Sequence, residues 1–243
     1  MTITVSNQKG GVGKTTLLYH LGFLFARLGK KTLLVDSDPQ GNLTSCFRDD
    51  LPDQHNLRLL YEKGFPEPFE AEKNLSIIGT DITLSKFEAD TKLENFFLLK
   101  NLVGEITHDV CLIDTPPSLG LFTSSSLLAA ERVLVPIDIS RFATLGLKDL
   151  IESIGKITRT TNSPVELLGI VLVNVDDRQN LFRETRDRLE KMYGEKLFRT
   201  MIPSSVRVRE AVAAKEPVFD FLPGHKVSIA LQTLFAEIQE RLL

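Results

Sequence analysis

Short runs of consecutive apolar residues alternate along this chain with longer stretches in which apolar residues recur every three or four positions. Uninterrupted apolar runs are typical of strands that are buried on both faces, as in a parallel sheet covered by helices. Six runs predict strands, at Thr2–Ser6, Lys31–Asp36, Leu75–Gly79, Asp109–Asp114, Arg132–Ile137 and Glu166–Asn174. The stretches between them predict helices, among them Lys14–Leu28, Leu119–Ala130, Leu145–Thr158 and Arg178–Met192. This alternation favours an α/β fold with a mostly parallel, doubly wound central sheet flanked by helices.

Two segments depart from the alternation. Residues 49–73 contain four helix and strand breakers and predict a surface excursion within the domain. Residues 224–243 carry one apolar helical stripe, which predicts a helix that packs back on the sheet. A helix lying on a membrane surface is the alternative, but Glu237 and Glu240 stand where such a helix would need basic residues.

The composition is that of an ordinary globular protein, since 42% of the 243 residues are hydrophobic and 25% are charged. We expect one domain over residues 1–243. The net charge of −3 is unlike that of a dedicated nucleic-acid binder, so any DNA contact would need a local basic patch.

The chain shows no basic and apolar leader, and no apolar run approaches the roughly 20 residues of a membrane span. These features favour a soluble, cytoplasmic protein. The two cysteines, Cys46 and Cys111, have no metal-ligand spacing and predict small buried thiols.

The strongest chemical signal is a glycine-rich run between the first predicted strand and the first predicted helix. Glycines let backbone N–H groups approach a phosphate, and the N-terminus of the following helix favours the same anion. Lys14 supplies a charge for the β- and γ-phosphates, and the Thr15 hydroxyl is suited to ligate Mg²⁺. A glycine turn without a ligand would not explain the lysines. We therefore predict a P-loop NTPase whose nucleotide-binding residues include Gly10, Gly11, Val12, Gly13, Lys14, Thr15 and Thr16.

The run departs from the strict phosphate-loop pattern because Gln8 stands at the first glycine position and Lys9 adds a second lysine. This variant resembles the deviant Walker A motif of the ParA/MinD ATPases. In that family the extra lysine reaches across a dimer interface to the nucleotide of the partner subunit. The resemblance implies that Lys9 acts beside Lys14 in catalysis, within an ATP-bound homodimer.

Carboxylates follow two of the predicted strands. From the residues alone, Asp36 and Asp38 could divide the tasks of organising magnesium waters and orienting an attacking water, or could cap a helix near Gly41. The segment 36–42 resembles the DxDPQGN segment of ParA-type proteins, which implies that Asp38 positions the hydrolytic water and that Asp36 belongs to the magnesium shell. Asp114 ends an apolar strand, as the Walker B residue that holds Mg²⁺ does. The Pro-Pro run after it resembles the second switch loop of the family.

A second group of residues concerns the binding of the nucleotide base and a positively charged surface. Asn174 follows a predicted strand, where a base-reading residue or a cap for a helix near Arg178 is expected. The GTPase signature lacks its lysine here, which favours ATP. Residues 203–211 resemble the family's IPR-x-VR-x-x-EA stretch, which implies that Pro203 packs near the adenine. The candidate DNA-binding residues of the basic segment, for which a plain solvated surface is the alternative, are Arg207, Arg209 and Lys215.

The resemblance to the ParA/Soj-like branch covers most of the chain. It implies an ATPase that uses ATP and Mg²⁺, dimerises with ATP and binds DNA without sequence preference. A ParB-like centromere-binding protein would stimulate hydrolysis and release, in plasmid or chromosome partitioning on the nucleoid of a bacterium or archaeon. One alternative is a MinD-like membrane-cycling ATPase, but the acidic last helix makes membrane binding unlikely. A second is an iron–sulfur ATPase, which would need paired cysteines. A third is a ParA-like ATPase that positions another protein cargo.

Overall fold

The computed structural model describes residues 1–139, 143–161, 165–176 and 180–243. Its strands form one seven-stranded sheet in the order β3-β4-β2-β5-β1-β6-β7, in which only β3 and β4 pair antiparallel. The strands are β1 (Thr2–Val5), β2 (Thr32–Asp36), β3 (Phe69–Glu72), β4 (Leu75–Ile78), β5 (Val110–Asp114), β6 (Arg132–Ile137) and β7 (Glu166–Leu172).

Helices cover both faces of this sheet. Along β2, Leu34 packs with helix α1 (Lys14–Arg27), whereas Leu33 and Val35 pack on the opposite face with Leu99 and Phe122. The other helices are α2 (Asn42–Phe47), α3 (Arg58–Tyr61), α4 (Leu98–Glu105), α5 (Leu121–Ala129), α6 (Ala143–Thr161), α7 (Asn180–Tyr193), α8 (Val206–Ala213), α9 (Val218–Phe221) and α10 (Lys226–Leu242). The predicted doubly wound α/β fold is confirmed.

The prediction for residues 49–73 was wrong in part. This segment contributes Leu57, Leu60 and Tyr61 to the core beside Phe122, and it supplies β3 to the sheet. Its prolines and Gly64 interrupt the local periodicity, so the buried positions do not show as a helix or strand pattern. The segment is therefore part of the packed structure as well as of the surface.

Helix α10 packs on α1 through the predicted stripe, since Val227, Leu231, Leu234 and Ile238 are buried in one cluster with it. None of the helices in the described part of the chain has the length and apolar character needed to cross a bilayer. The predicted start of a helix at Arg178 lies outside the described residues.

Both cysteines are buried free thiols. Burial raises the pKa of Cys46 and of Cys111 to about 12.

Candidate nucleotide-binding site

The sheet brings together motifs that lie far apart in the sequence. Val5 at the end of β1 pairs with Asp114 at the end of β5, and Asp114 pairs in turn with Asp36 at the end of β2. Neighbouring strands are about 4.8 Å apart. The loop after β1 and both carboxylates therefore lie at the same, carboxyl, edge of the sheet.

The loop after β1 leads directly into α1. Gly11 has a φ of 75° and Gly13, which caps α1 without a side-chain hydrogen bond, has a φ of 80°. These left-handed conformations favour glycine, and they leave the first N–H groups of α1 without an intrahelical partner. Val12 is buried, and a β-carbon added at Gly10 would lie 3.9 Å from Pro117 Cβ in the loop after β5. The local geometry is that of an anion-binding turn.

Lys14 and Thr15 begin α1 at the base of this loop. Lys14 is only 7% exposed, and its Nζ donates to the backbone oxygen of Lys9 at 3.4 Å. Burial lowers the pKa of Lys14, an effect that the nearby carboxylates of Asp114 and Asp38 oppose. Thr15 Oγ1 donates to Asp114 Oδ2 at 2.5 Å. The residues predicted to hold phosphate and metal thus lie together.

Asp114 and Asp36 are fully buried. Burial raises the pKa of Asp114 to about 8, with repulsion from Asp36 adding to the rise, and burial raises the pKa of Asp36 to about 7. Asp114 Oδ1 has no hydrogen-bond partner among the described residues. An unpartnered carboxylate oxygen beside a threonine hydroxyl is a favourable place for a cation.

Asp36 and Asp38 differ in their contacts. Asp36 Oδ2 accepts hydrogen bonds from Thr44 N at 2.8 Å and Thr44 Oγ1 at 2.7 Å, so Asp36 holds the first turn of α2. Gly41 occupies the N-cap position of α2, so Asp36 binds this turn without being its N-cap residue. The place of Asp36 in the magnesium shell stays a prediction. Asp38 is 7% exposed and accepts a hydrogen bond from Gln40 N at 3.0 Å, in the turn that Gly41 closes with a φ of 64°.

Lys9 extends to the carboxyl end of β6, where its Nζ lies 2.5 Å from Asp138 Oδ2. Asn7 anchors the same loop, because its Oδ1 accepts from Lys9 N at 2.9 Å and its Nδ2 donates to the Pro136 oxygen at 2.7 Å. The sequence analysis missed Asn7 and Asp138. Asp138 is 129 positions from Lys9, so no local pattern signals the pair.

A cavity of about 390 Å³ adjoins the loop. Its wall includes Gly11, Gly13 and Thr16 on one side and Asn174 and Pro203 on the other, so the residues predicted for phosphate and base share one cavity. The backbone N–H of the residue after Asn174 donates to the oxygen of the residue before Pro203 at 3.0 Å, which holds the two segments together. The alternative role of Asn174, as a cap for a helix near Arg178, falls on residues outside the described ranges.

A larger groove, of about 800 Å³, opens at the amino ends of β6 and β7. It contains none of the loop residues. Charged groups in its wall pair with one another, as in Arg132 with Glu166 at 3.4 Å and Arg241 with Glu237 at 3.2 Å. We therefore place the candidate site at the smaller cavity, where the glycine loop and the buried carboxylates meet.

His20 links α1 to α9, a contact that no local sequence pattern indicates. Its Nδ1 lies 2.6 Å from the Thr16 oxygen, and Val218 N donates to its Nε2 at 3.0 Å. Because Nε2 accepts, the proton is on Nδ1, and burial lowers the pKa of His20 to about 4. A neutral histidine therefore joins the first turn of α1 to the segment that follows α8.

The predicted basic patch is less basic than its local sequence indicates. Arg207 pairs with Glu210 at 2.7 Å, and Lys215 Nζ lies 2.8 Å from Asp49 Oδ2. Asp49 is 166 positions from Lys215 and could not be counted from the local sequence. Arg209 instead lies in the wall of the nucleotide-site cavity.

Comparison with known proteins gives a consistent family. An AAA domain family model matches residues 1–167. The chromosome-partitioning ATPase Soj of Thermus thermophilus is 34% identical, over 98% of this chain and 95% of that protein. A structure from Borrelia burgdorferi B31, described as a plasmid partition protein bound to AMPPNP, superimposes with a TM-score of 0.84 at 23% identity and covers 100% of this chain and 99% of that one.

The structure of cobyrinic acid a,c-diamide synthase from Mycobacterium smegmatis with bound ADP and magnesium is also similar, with a TM-score of 0.76, 28% identity and coverage of 93% of this chain and 97% of that one. Since proteins with different names share the fold, the fold alone does not assign the function. The sequence identity to Soj over nearly the whole chain is the more specific finding. The chain belongs to the ParA/Soj-like family of ATPases.

Proposed function

We propose that this protein is a ParA-type partitioning ATPase, which binds ATP with Mg²⁺, hydrolyses ATP to ADP and phosphate, and uses its ATP-bound state to hold DNA. The observation that carries the proposal is the 2.5 Å hydrogen bond from Thr15 Oγ1 to Asp114 Oδ2 beneath the glycine loop. A hydroxyl and a carboxylate side by side under a phosphate loop are what the binding of a magnesium nucleotide requires.

The donor groups fit Mg²⁺, which prefers oxygen ligands and retains several of its waters. The Thr15 hydroxyl is the proposed direct ligand. Asp114 offers a buried oxygen without a partner, and Asp36, already bonded to Thr44, would act through water. Bound in this place, Mg²⁺ would neutralise negative charge on the phosphates.

The residues of the chain itself account for the rest of the hydrolysis. The loop N–H groups and Lys14 hold and orient the phosphates, and the low exposure of Lys14 strengthens that interaction. Asp38 is mostly buried and accepts one backbone hydrogen bond, which leaves carboxylate lone pairs to orient a water. Positioning of this kind suits slow phosphoryl transfer without a covalent intermediate.

In the ATP-bound state Lys9 is proposed to leave Asp138 and to contact the nucleotide of a second copy of the chain. Arg207 and Lys215 would then exchange Glu210 and Asp49 for DNA phosphates. Breaking these pairs costs little free energy, because both lie at the surface, where ion pairs contribute about 0–1 kcal/mol. A ParB-like partner would stimulate hydrolysis and thereby release the DNA.

The test is binding to random-sequence duplex DNA with ATP, with ADP and without nucleotide, using Asp38→Ala to hold the ATP state. We expect binding with ATP only, weakened at least tenfold by Arg207→Glu and by salt, since phosphate contacts release counterions. Arg188→Glu, which changes an exposed arginine of α7, is the matched control.

Absence of DNA binding in all three states would overturn the DNA part of the proposal. ATP hydrolysis is measured separately on the wild type, by phosphate release. A protein that hydrolyses ATP but ignores DNA would remain a ParA-type ATPase, with a protein or lipid surface as its cargo.

A further inference from the structure

The two arginines of α8 lie on different sides of that helix. Residues two apart are rotated by about 200° around an α-helix, so Arg207 and Arg209 point in nearly opposite directions. Arg207 faces the surface and pairs with Glu210 one turn further along. Arg209 contributes to the wall of the 390 Å³ cavity that also includes Gly11 and Gly13.

The charge of this cavity wall is unbalanced. Of the described residues that line it, Arg209 alone is charged, and the others are glycines, apolar side chains and uncharged polar groups. Arg209 forms no ion pair and no side-chain hydrogen bond with any described residue. By contrast, Arg207 and Lys215 each have a carboxylate within 2.8 Å.

An arginine without an anionic partner among the described residues, in the wall of a cavity that the phosphate loop also lines, has the chemistry to bind a phosphate of the occupant. A guanidinium presents a planar fork of N–H donors that matches phosphate oxygens. Gly11 and Gly13 of the loop line the same cavity, so a phosphate bound by the loop would lie in the space that Arg209 also borders.

We propose that Arg209 is a nucleotide-binding residue, which donates hydrogen bonds from its guanidinium to a phosphate of the bound nucleoside triphosphate. This inference rests on the proposed function of the site as an ATP site. It separates Arg209 from Arg207 and Lys215, with which the sequence analysis grouped it as a DNA contact. Helix α8 thus presents Arg209 at the nucleotide cavity and Arg207 away from it, although both arginines are exposed to solvent.

The test compares Arg209→Gln with Arg188→Gln, a change at an exposed arginine of α7 outside the cavity. The Kd for a fluorescent ATP analogue is measured by titration, and inorganic tripolyphosphate is used as a competitor. We expect Arg209→Gln to lower the affinity for both ligands by roughly tenfold or more, the usual effect of losing a charge-assisted hydrogen bond. Arg188→Gln should leave both affinities unchanged. Arg209→Lys should restore part of the affinity, because it retains the charge but not the fork.

Failure of the proposed function and failure of the Arg209 assignment give different results. A wild-type chain that binds no ATP would overturn the proposed function itself. A wild type that binds ATP, with Arg209→Gln equal to it, would overturn only the role of Arg209. Loss of affinity for the ATP analogue with unchanged affinity for tripolyphosphate would show a contact with the base or ribose and would overturn the assignment to phosphate. Equal thermal melting of the wild type and the three variants checks that each protein is folded.

Discussion

Lys14, Asp36 and Asp114 are buried at the ends of strands and at the start of α1, whereas Arg207 and Lys215 are exposed and pair with surface carboxylates. We call residues 9–16 with Asp36, Asp38 and Asp114 the loop wall, and residues 203–215 the α8 wall, because each group contributes some of the residues that line the nucleotide cavity. Charges interact strongly where water is excluded and weakly where it is not. Substitutions should therefore have large effects at the loop wall and small effects at the α8 wall.

The largest effect is expected from Asp38→Asn. If Asp38 orients the attacking water, loss of its charge should lower kcat by about 10²–10⁴-fold, the usual range for such a group. ATP binding should be retained, because the loop and Lys14 are untouched. Steady-state phosphate release and equilibrium binding of a fluorescent ATP analogue measure the two quantities.

Asp50→Asn, at an exposed position, serves as the control and should hydrolyse ATP like the wild type. Undiminished turnover in Asp38→Asn would move the catalytic role to another residue. It would also remove the main functional reason to expect large effects of substitutions at the loop wall.

The next effect concerns His20, which joins the loop wall, at Thr16, to α9, at Val218. Its pKa is about 4 in the folded protein and about 6.5 in the unfolded chain, so only the unfolded chain takes up a proton between these values. The contribution to stability is complete above pH 6.5 and falls by about 3 kcal/mol as the pH drops to 4. His20→Gln should remove this fall, as measured by urea unfolding at a series of pH values.

His55→Gln, at a half-buried position, is the matched control and should follow the wild-type curve. Parallel pH curves for the wild type and His20→Gln would mean that His20 does not stay neutral in the fold. The link between Thr16 and Val218 would then not depend on its protonation state.

The loop wall was predictable from the sequence, because each of its chemical residues directly follows an apolar strand run or begins the first helix. The sheet register then brings Asp36 and Asp114 together without further information. The partners of charged side chains were not predictable. Asp138 and Asp49 are 129 and 166 positions from the lysines they bind, and only the topology brings them close. The buried Tyr61 was missed for another reason, since nearby prolines hide its periodicity.

Lys9 belongs to the loop wall in sequence but is partly exposed, with 42% of its side chain accessible. Lys9→Ala should weaken ATP-dependent dimerisation by roughly 10–100-fold, the effect of one charge-assisted contact. Asp138→Asn should strengthen dimerisation by up to about fivefold, since it removes a competing surface ion pair. Sedimentation velocity over a range of protein concentrations measures both changes.

If Lys9→Ala dimerises with the same constant as the wild type, Lys9 does not contact the nucleotide of the second copy. A weaker dimer in Asp138→Asn would show that Asp138 orients Lys9 for the partner and does not compete with it. Both variants are compared with Lys100→Ala, at an exposed position of α4.

The raised pKa values of Asp36 and Asp114, about 7 and about 8, predict a pH dependence of metal binding. Below these values the carboxyl groups hold protons that Mg²⁺ must displace. The affinity for Mg²⁺ in the presence of ATP should therefore fall by up to about tenfold for each unit of pH below 7, if one proton is displaced. Calorimetry at pH 7 in buffers of different ionisation enthalpy should show proton release.

The matched control is ATP binding in the presence of a chelator, which should vary much less with pH because no cation displaces the protons. Absence of proton release at pH 7 would mean that both carboxylates are already ionised. The loop wall would then be more polar than its burial indicates.

The smallest effects are expected at the α8 wall, from the pair of Lys215 and Asp49. Asp49→Asn and Lys215→Gln should each change the free energy of unfolding by less than about 1 kcal/mol, since the pair is exposed. Their effects on DNA binding should have opposite signs. Asp49→Asn frees a cation and should strengthen binding by a few-fold, whereas Lys215→Gln should weaken it and lower the salt slope by about 1.

Fluorescence anisotropy of duplex DNA at several salt concentrations, with ATP present, separates these outcomes. If both variants weaken DNA binding, Asp49 positions Lys215 and the surface pair is part of the interface. If neither changes it, Lys215 is a solvated side chain and the basic surface is limited to Arg207. If the affinity for DNA increases in Asp49→Asn alone, the surface ion pairs of the α8 wall exchange with DNA phosphates. Such an exchange is what a reversible DNA contact needs.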